Sequence, residues 1–147
     1  MELGEIIAGK IAYHCRAEMR IKCDRDPQNS VRIFLSKIEF DSIIKVEERK
    51  LDVLVLLPEE NKEEFGRYLL RIERGEFWKN NPSLARWKKY RDEHRDYLIG
   101  KSFKLNSDGN YHFKAKFKTN NINKTANSII HYVIKTAMYF DRTLKQN

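Results

Sequence analysis

Between Tyr13 and Asp24 apolar and polar side chains alternate almost without fault: Tyr13, Cys15, Ala17, Met19, Ile21 and Cys23 on one side, His14, Arg16, Glu18, Arg20, Lys22 and Asp24 on the other. A two-residue period predicts a half-buried strand. Upstream, Leu3, Ile6, Ile7 and Ile11 suit a short helix while Gly4 and Gly9 oppose one, so residues 2–11 stay open between helix and strand. Residues 24–29, with Pro27, read as a turn. Val31–Phe40 follows as a second strand whose apolar phase slips near Ser36 and Lys37, which predicts a bulge. A third strand, Ile44–Leu57, starts charged at Glu47–Lys50 and ends in an apolar run that Pro58 closes.

The period then changes. Glu59, Glu60, Glu63 and Glu64 suit a helix N-terminus, and Phe65, Leu69 and Ile72 give it a buried stripe up to Gly75. A second helix is expected from Ser83 to Leu98, with Leu84, Trp87, Arg91, His94 and Leu98 on one face. Asp108-Gly109 marks a hairpin between Lys101–Asn106 and Asn110–Lys118. A two-residue turn would pair Phe103 with Lys114. A three-residue loop with Gly109 left-handed pairs Phe103 with Phe113 and Leu105 with Tyr111, so like faces like and this register is selected. Lys104 and His112 then become neighbours on the outer face with Lys114, Lys116 and Lys118. A wide apolar arc over Asn123–Lys145 predicts a long, deeply packed final helix.

These elements predict one α+β domain over residues 1–147: a mainly antiparallel sheet of about five strands, helices packed on one face, and a long C-terminal helix. With 41% hydrophobic residues the chain can build a core without staples. No apolar run approaches a membrane span, and the acidic N-terminus lacks a secretory pattern, so a cytoplasmic location is expected. In a single straight strand Cys15 and Cys23 would lie roughly 26 Å apart, which excludes a bond between them and leaves two buried thiols.

The net charge of +8 is unevenly spread. Residues 99–147 hold nine Lys and Arg against Asp108 and Asp141, net +7, leaving +1 for the rest. The hairpin lysines therefore form a basic stripe, and Lys101, Lys104, His112, Lys114, Lys116 and Lys118 are the candidate phosphate contacts. Arg86, Lys88 and Lys89 would extend it if their helix lies alongside. The aromatics Phe103, Tyr111, Phe113 and Phe117 face inward in this register, so they form core and not a base-stacking platform.

Catalytic and cofactor chemistry finds little support. His14, His94, His112 and His131 are scattered without a zinc spacing, and the six glycines form no phosphate loop. No metal or cofactor is expected, and the chain reads as non-enzymatic. One pattern deserves a test: Asp41 with Glu48-Arg49-Lys50 has the outline of a magnesium-dependent nuclease centre on adjacent strands.

The run Phe103–Phe113 followed by the amphipathic final helix resembles the fold of type III secretion chaperones and their YbjN-like relatives. That resemblance covers residues 101–145 and implies a non-catalytic homodimer that binds a protein partner. Two expectations follow: a protein gripping the nucleic-acid backbone independently of sequence, or a chaperone-like or immunity-type interaction module.

Overall fold

Ile7, Ala8, Ile11, Ala12 and Cys15 recur at three- and four-residue spacing, and in the computed structural model each is at most 2% exposed. They form the inner stripe of helix α1, Leu3–Ala17. The structure describes residues 2–25, 29–76, 82–94 and 97–144. The expected strand over Tyr13–Asp24 is thus helix as far as Ala17, then a turn, and strand only at its end. Tyr13, assigned to its buried side, is 70% exposed. The helix forms despite its glycines because Gly4 serves close approach: a β-carbon there would lie 2.8 Å from the Ile44 carbonyl oxygen. Only Lys22–Asp24 is strand, β1, reached through Arg20 at φ 55°. The turn read over residues 24–29 falls at Asp26–Gln28 outside the described residues.

Cys15 and Cys23 are both buried and free, and the Cys23 thiol points at the Ala12 carbonyl at 3.6 Å. They belong to packed neighbours, so the distance expected of a single strand does not apply. Burial, then the neighbouring Cys23, pushes the Cys15 thiol from 9.0 up to about 12. The folded state thus keeps a proton that the unfolded chain loses above pH 9.0. This contribution is fully present below that pH and is lost as pH rises towards about 12, at no more than ~1.4 kcal/mol per pH unit. Urea midpoints should therefore fall more steeply above pH 9.0 for the native chain than for Cys15→Ala. Equal slopes would contradict the assignment.

The phase slip at Ser36 and Lys37 is a chain reversal, not a bulge. Strand β2, Ser30–Phe34, turns into β3, Glu39–Glu47, with Leu35 N–H donating to the Ile38 carbonyl at 2.9 Å. The third predicted strand also divides. Glu47 pairs with Lys50 across a tight turn, and Lys50–Leu56 returns as β4. Glu48 takes φ 56° in that turn, a left-handed conformation costly for a residue with a β-carbon.

A 3₁₀ turn at Glu59–Asn61 leads into α2, Lys62–Glu73, which buries Phe65 and Tyr68. Helix α3 spans Pro82–His94. Its Trp87 is buried, and the indole N–H donates to the His131 carbonyl at 2.8 Å. Leu98 is not the end of this helix but the first residue of β5, Leu98–Leu105, followed by β6, Tyr111–Phe117.

The final helix, α4, runs 22 residues. It is α-helical over Ile122–Ile129, π-helical over Ile130–Ile134 and α-helical again over Lys135–Thr143. The Asn121 side chain caps it, accepting from Lys124 N–H at 3.1 Å.

The result is an α+β fold with a six-stranded antiparallel sheet in the order β1-β2-β3-β4-β6-β5. One strand more than expected arises because the two strands predicted between Val31 and Leu57 are three, β2, β3 and β4, while the first predicted strand shrinks to β1. Val31, Ile44, Val53 and Phe113 of the inner face join α1, α2 and α4 in a continuous core. Among the described residues no helix is long and apolar enough to cross a membrane. Among the described residues no helix packs on the outer face, and the hairpin lysines there are exposed.

Candidate nucleic-acid interface

The C-terminal hairpin adopts the register that side-chain matching selects: Phe103 opposite Phe113, Lys104 opposite His112, Leu105 opposite Tyr111. Gly109 takes φ 82° in the loop, where its N–H donates to the Asn106 carbonyl at 3.0 Å. Further along, the register shifts between Ile99 and Ser102, with Gly100 at φ 64°. This bulge turns Leu98 into the core.

Hydrogen bonding of β6 to β4 builds the site. Asp52 faces Lys114 and Lys50 faces Lys116. On the other side of β4, Lys45 faces Asp52 and Glu47 faces Lys50. Register thus sets Lys45, Lys50, Lys114 and Lys116 at adjacent positions of the outer face, with Asp52 and Glu47 among them. Neighbouring strands lie roughly 5 Å apart and alternate residues roughly 7 Å along a strand, so all four ammonium groups can reach one extended ligand. Lys104 and the exposed Lys118 flank them.

Asp52 is the carboxylate that should neutralise this patch, yet it is engaged elsewhere. Its Oδ1 lies 2.9 Å from His112 Nδ1, and the other ring nitrogen lies 3.4 Å from an Asp108 oxygen. Asp108 is itself fixed by accepting from Asn110 N–H at 3.2 Å, the main cause of a carboxyl held below its ordinary value. None of Lys45, Lys50, Lys114 and Lys116 forms an ion pair among the described residues.

Comparison with protein-family models, curated proteins and solved structures finds no significant match.

The structure brings together only part of the set expected from sequence. Lys104, Lys114, Lys116 and Lys118 are exposed on the hairpin. His112 is half-buried between two carboxylates and positions Asp52 in preference to meeting solvent. Lys101 leaves the stripe: its Nζ donates to the Leu98 carbonyl at 3.1 Å and lies 5.5 Å from the Tyr132 ring, on the helical side. Arg86, Lys88 and Lys89 lie on the exposed side of α3, whose Trp87 anchors it to α4. There Lys88 and Lys89 line a shallow groove with Asp92 and Glu93, and Lys88 pairs with Asp92 at 3.0 Å. They do not extend the hairpin patch.

Lys45 and Lys50 are the functional candidates that sequence reasoning missed. A block of four charges, Glu47–Lys50, inside an otherwise alternating run was itself the signal of a turn. The nuclease pattern does not assemble. Asp41 is held by Arg32 in a two-point contact at 2.7 and 3.1 Å. It pairs with Leu56 at the far end of the β3–β4 hairpin from Glu48, roughly 20 Å away at the usual strand rise. Among the described residues no group of His, Cys, Asp or Glu could hold a metal ion.

Proposed function

We propose that this chain is a non-enzymatic protein that grips the phosphate backbone of nucleic acid through the outer face of its sheet. The carrying observation is the direct cross-strand pairing of Lys50 with Lys116, beside Lys45 and Lys114, with no ion pair to any of the four among the described residues. Like charges set opposite each other destabilise a sheet, and a bound polyanion reverses the sign of that interaction. With Lys104, five lysines stand beside Asp52 and Glu47 on β3, β4, β5 and β6, while further across the same face Asp41 pairs with Arg32. The inward aromatics leave bases unread, so recognition is independent of sequence. Two free thiols fit a reducing, cytoplasmic setting.

Fluorescence anisotropy with a labelled duplex of arbitrary sequence tests this. If four to five phosphates are neutralised, log Kd against log salt should have a slope of about 4, from ~0.9 per contact. Absence of binding at low salt, or affinity indifferent to salt, would sink the reading.

A second reading is a protein-interaction module, in keeping with the chaperone-like resemblance. It draws on Phe34, Ile43, Leu54 and Leu56, half-buried apolar residues on the same open face. Light scattering separates the two: a stable homodimer that survives high salt favours this reading, a salt-sensitive complex with nucleic acid the first.

A further inference from the structure

His112 meets a carboxylate at each ring nitrogen: Asp52 Oδ1 lies 2.9 Å from Nδ1 and an Asp108 oxygen 3.4 Å from Nε2. A neutral imidazole donates through one nitrogen and accepts at the other, whereas an imidazolium donates through both. Two carboxylates on one ring therefore suit the charged form. A neutral ring turns a lone pair towards one of the two anions. The side chain is 12% exposed, so it acts on the outer face through its neighbours and not by touching phosphate.

Those neighbours are named by the register. Lys104 stands opposite His112 on β5 and Leu54 opposite it on β4, with Lys114 two residues along β6 on the same face. Asp52 is the direct cross-strand partner of Lys114 on one side and of Lys45 on the other. It lies between two lysines of the patch and yet turns an oxygen to the histidine. Asp108, in the hairpin loop, accepts from Asn110 N–H at 3.2 Å, and His112 adds to the pull that holds its carboxyl below the ordinary value.

The proton on the ring decides where these acids direct their charge. An imidazolium holds both. A neutral ring holds one, and the other falls to the nearest ammonium groups, Lys45 and Lys114 for Asp52 or Lys104 for Asp108, where it competes with phosphate. We propose that His112 is a positioning residue for the phosphate grip: charged, it draws Asp52 and Asp108 off the lysines; neutral, it returns one of them, so that nucleic acid is held more tightly in acid than in alkali. The role rests on the outer face being a phosphate grip. Linkage is reciprocal, so bound nucleic acid must also hold the proton on the ring to higher pH.

A labelled duplex titrated at ~0.05 M salt gives the test. From about pH 5.5 to about pH 8.0 the affinity of the native chain should fall about tenfold, the effect of one charge at the face. His112→Gln, which is neutral at every pH, should keep the weaker affinity throughout. His14→Gln, which removes the His14 and Glu18 pair on α1, should keep the native profile. By NMR on the native chain, the His112 ring should titrate about one pH unit higher with duplex than without, the counterpart of a tenfold change. That measurement stands even if His112→Gln fails to fold. Binding indifferent to pH, the native profile in a folded His112→Gln, or a ring titration that the duplex does not move would overturn this role and leave the phosphate grip standing. No binding at any pH would overturn both.

Discussion

Replacing Asp141 by Ala should cost on the order of 3–5 kcal/mol of folding stability, a large share of the ~5–15 kcal/mol typical of a domain. Asp141 is 5% exposed and sits near the end of α4. Its carboxylate accepts from Lys37 N–H at 2.8 Å, Ile38 N–H at 2.9 Å and the Ser36 hydroxyl at 2.9 Å. One side chain thus satisfies the β2–β3 turn, and the Lys37 ammonium adds a bond to the Leu144 carbonyl. Ala would leave the buried Ile38 N–H and the part-buried Lys37 N–H without their acceptor, which is where the large penalty arises. Asn keeps an acceptor without the charge and should lose roughly half as much. Denaturant unfolding of the three proteins decides it; a loss under about 1 kcal/mol for Ala would show that the turn finds other partners.

The second large effect concerns the basic face. Reversing Lys114 and Lys116 together removes two cations from a set of five and places two carboxylates beside Asp52 and Glu47. Each lost phosphate contact weakens binding by about one order of magnitude at ~0.05 M salt, so Lys114→Glu with Lys116→Glu should reduce affinity on the order of a hundredfold or more. The salt slope should fall by about 2 at the same time. Both side chains are exposed, so stability should change little. Unchanged affinity in the folded double variant would place any nucleic acid elsewhere.

The hairpin at 101–118 was readable because its information is local. Asp108-Gly109 specifies a loop, and four aromatics on one side penalise every register but one. Gly75 and the glutamates ahead of Phe65 made α2 equally legible. The N-terminal third was not, because two periods compete there. Cys15 satisfies both the alternation and the helical stripe, and Gly4, which argues against a helix, lets α1 approach β3. Glu48 hides a turn by adopting φ 56° without glycine, and the turn at Ser36 depends on a carboxylate about a hundred residues away. The site shares that division. Lys104, Lys114 and Lys116 follow from local register, whereas Lys45 and Lys50 join them only through the pairing of β4 with β6.

The central claim is that one face, not overall basicity, holds nucleic acid. It is tested most directly by titrating a labelled duplex with two charge-reversed proteins of equal net charge, Lys114→Glu with Lys116→Glu on the sheet and Lys88→Glu with Lys89→Glu on α3. The sheet variant should lose binding on the order of a hundredfold while the α3 variant stays within a few-fold of the native chain, its loss limited to long-range attraction that salt screens. Equal losses in the two proteins, or a larger loss in the α3 variant, would contradict the account.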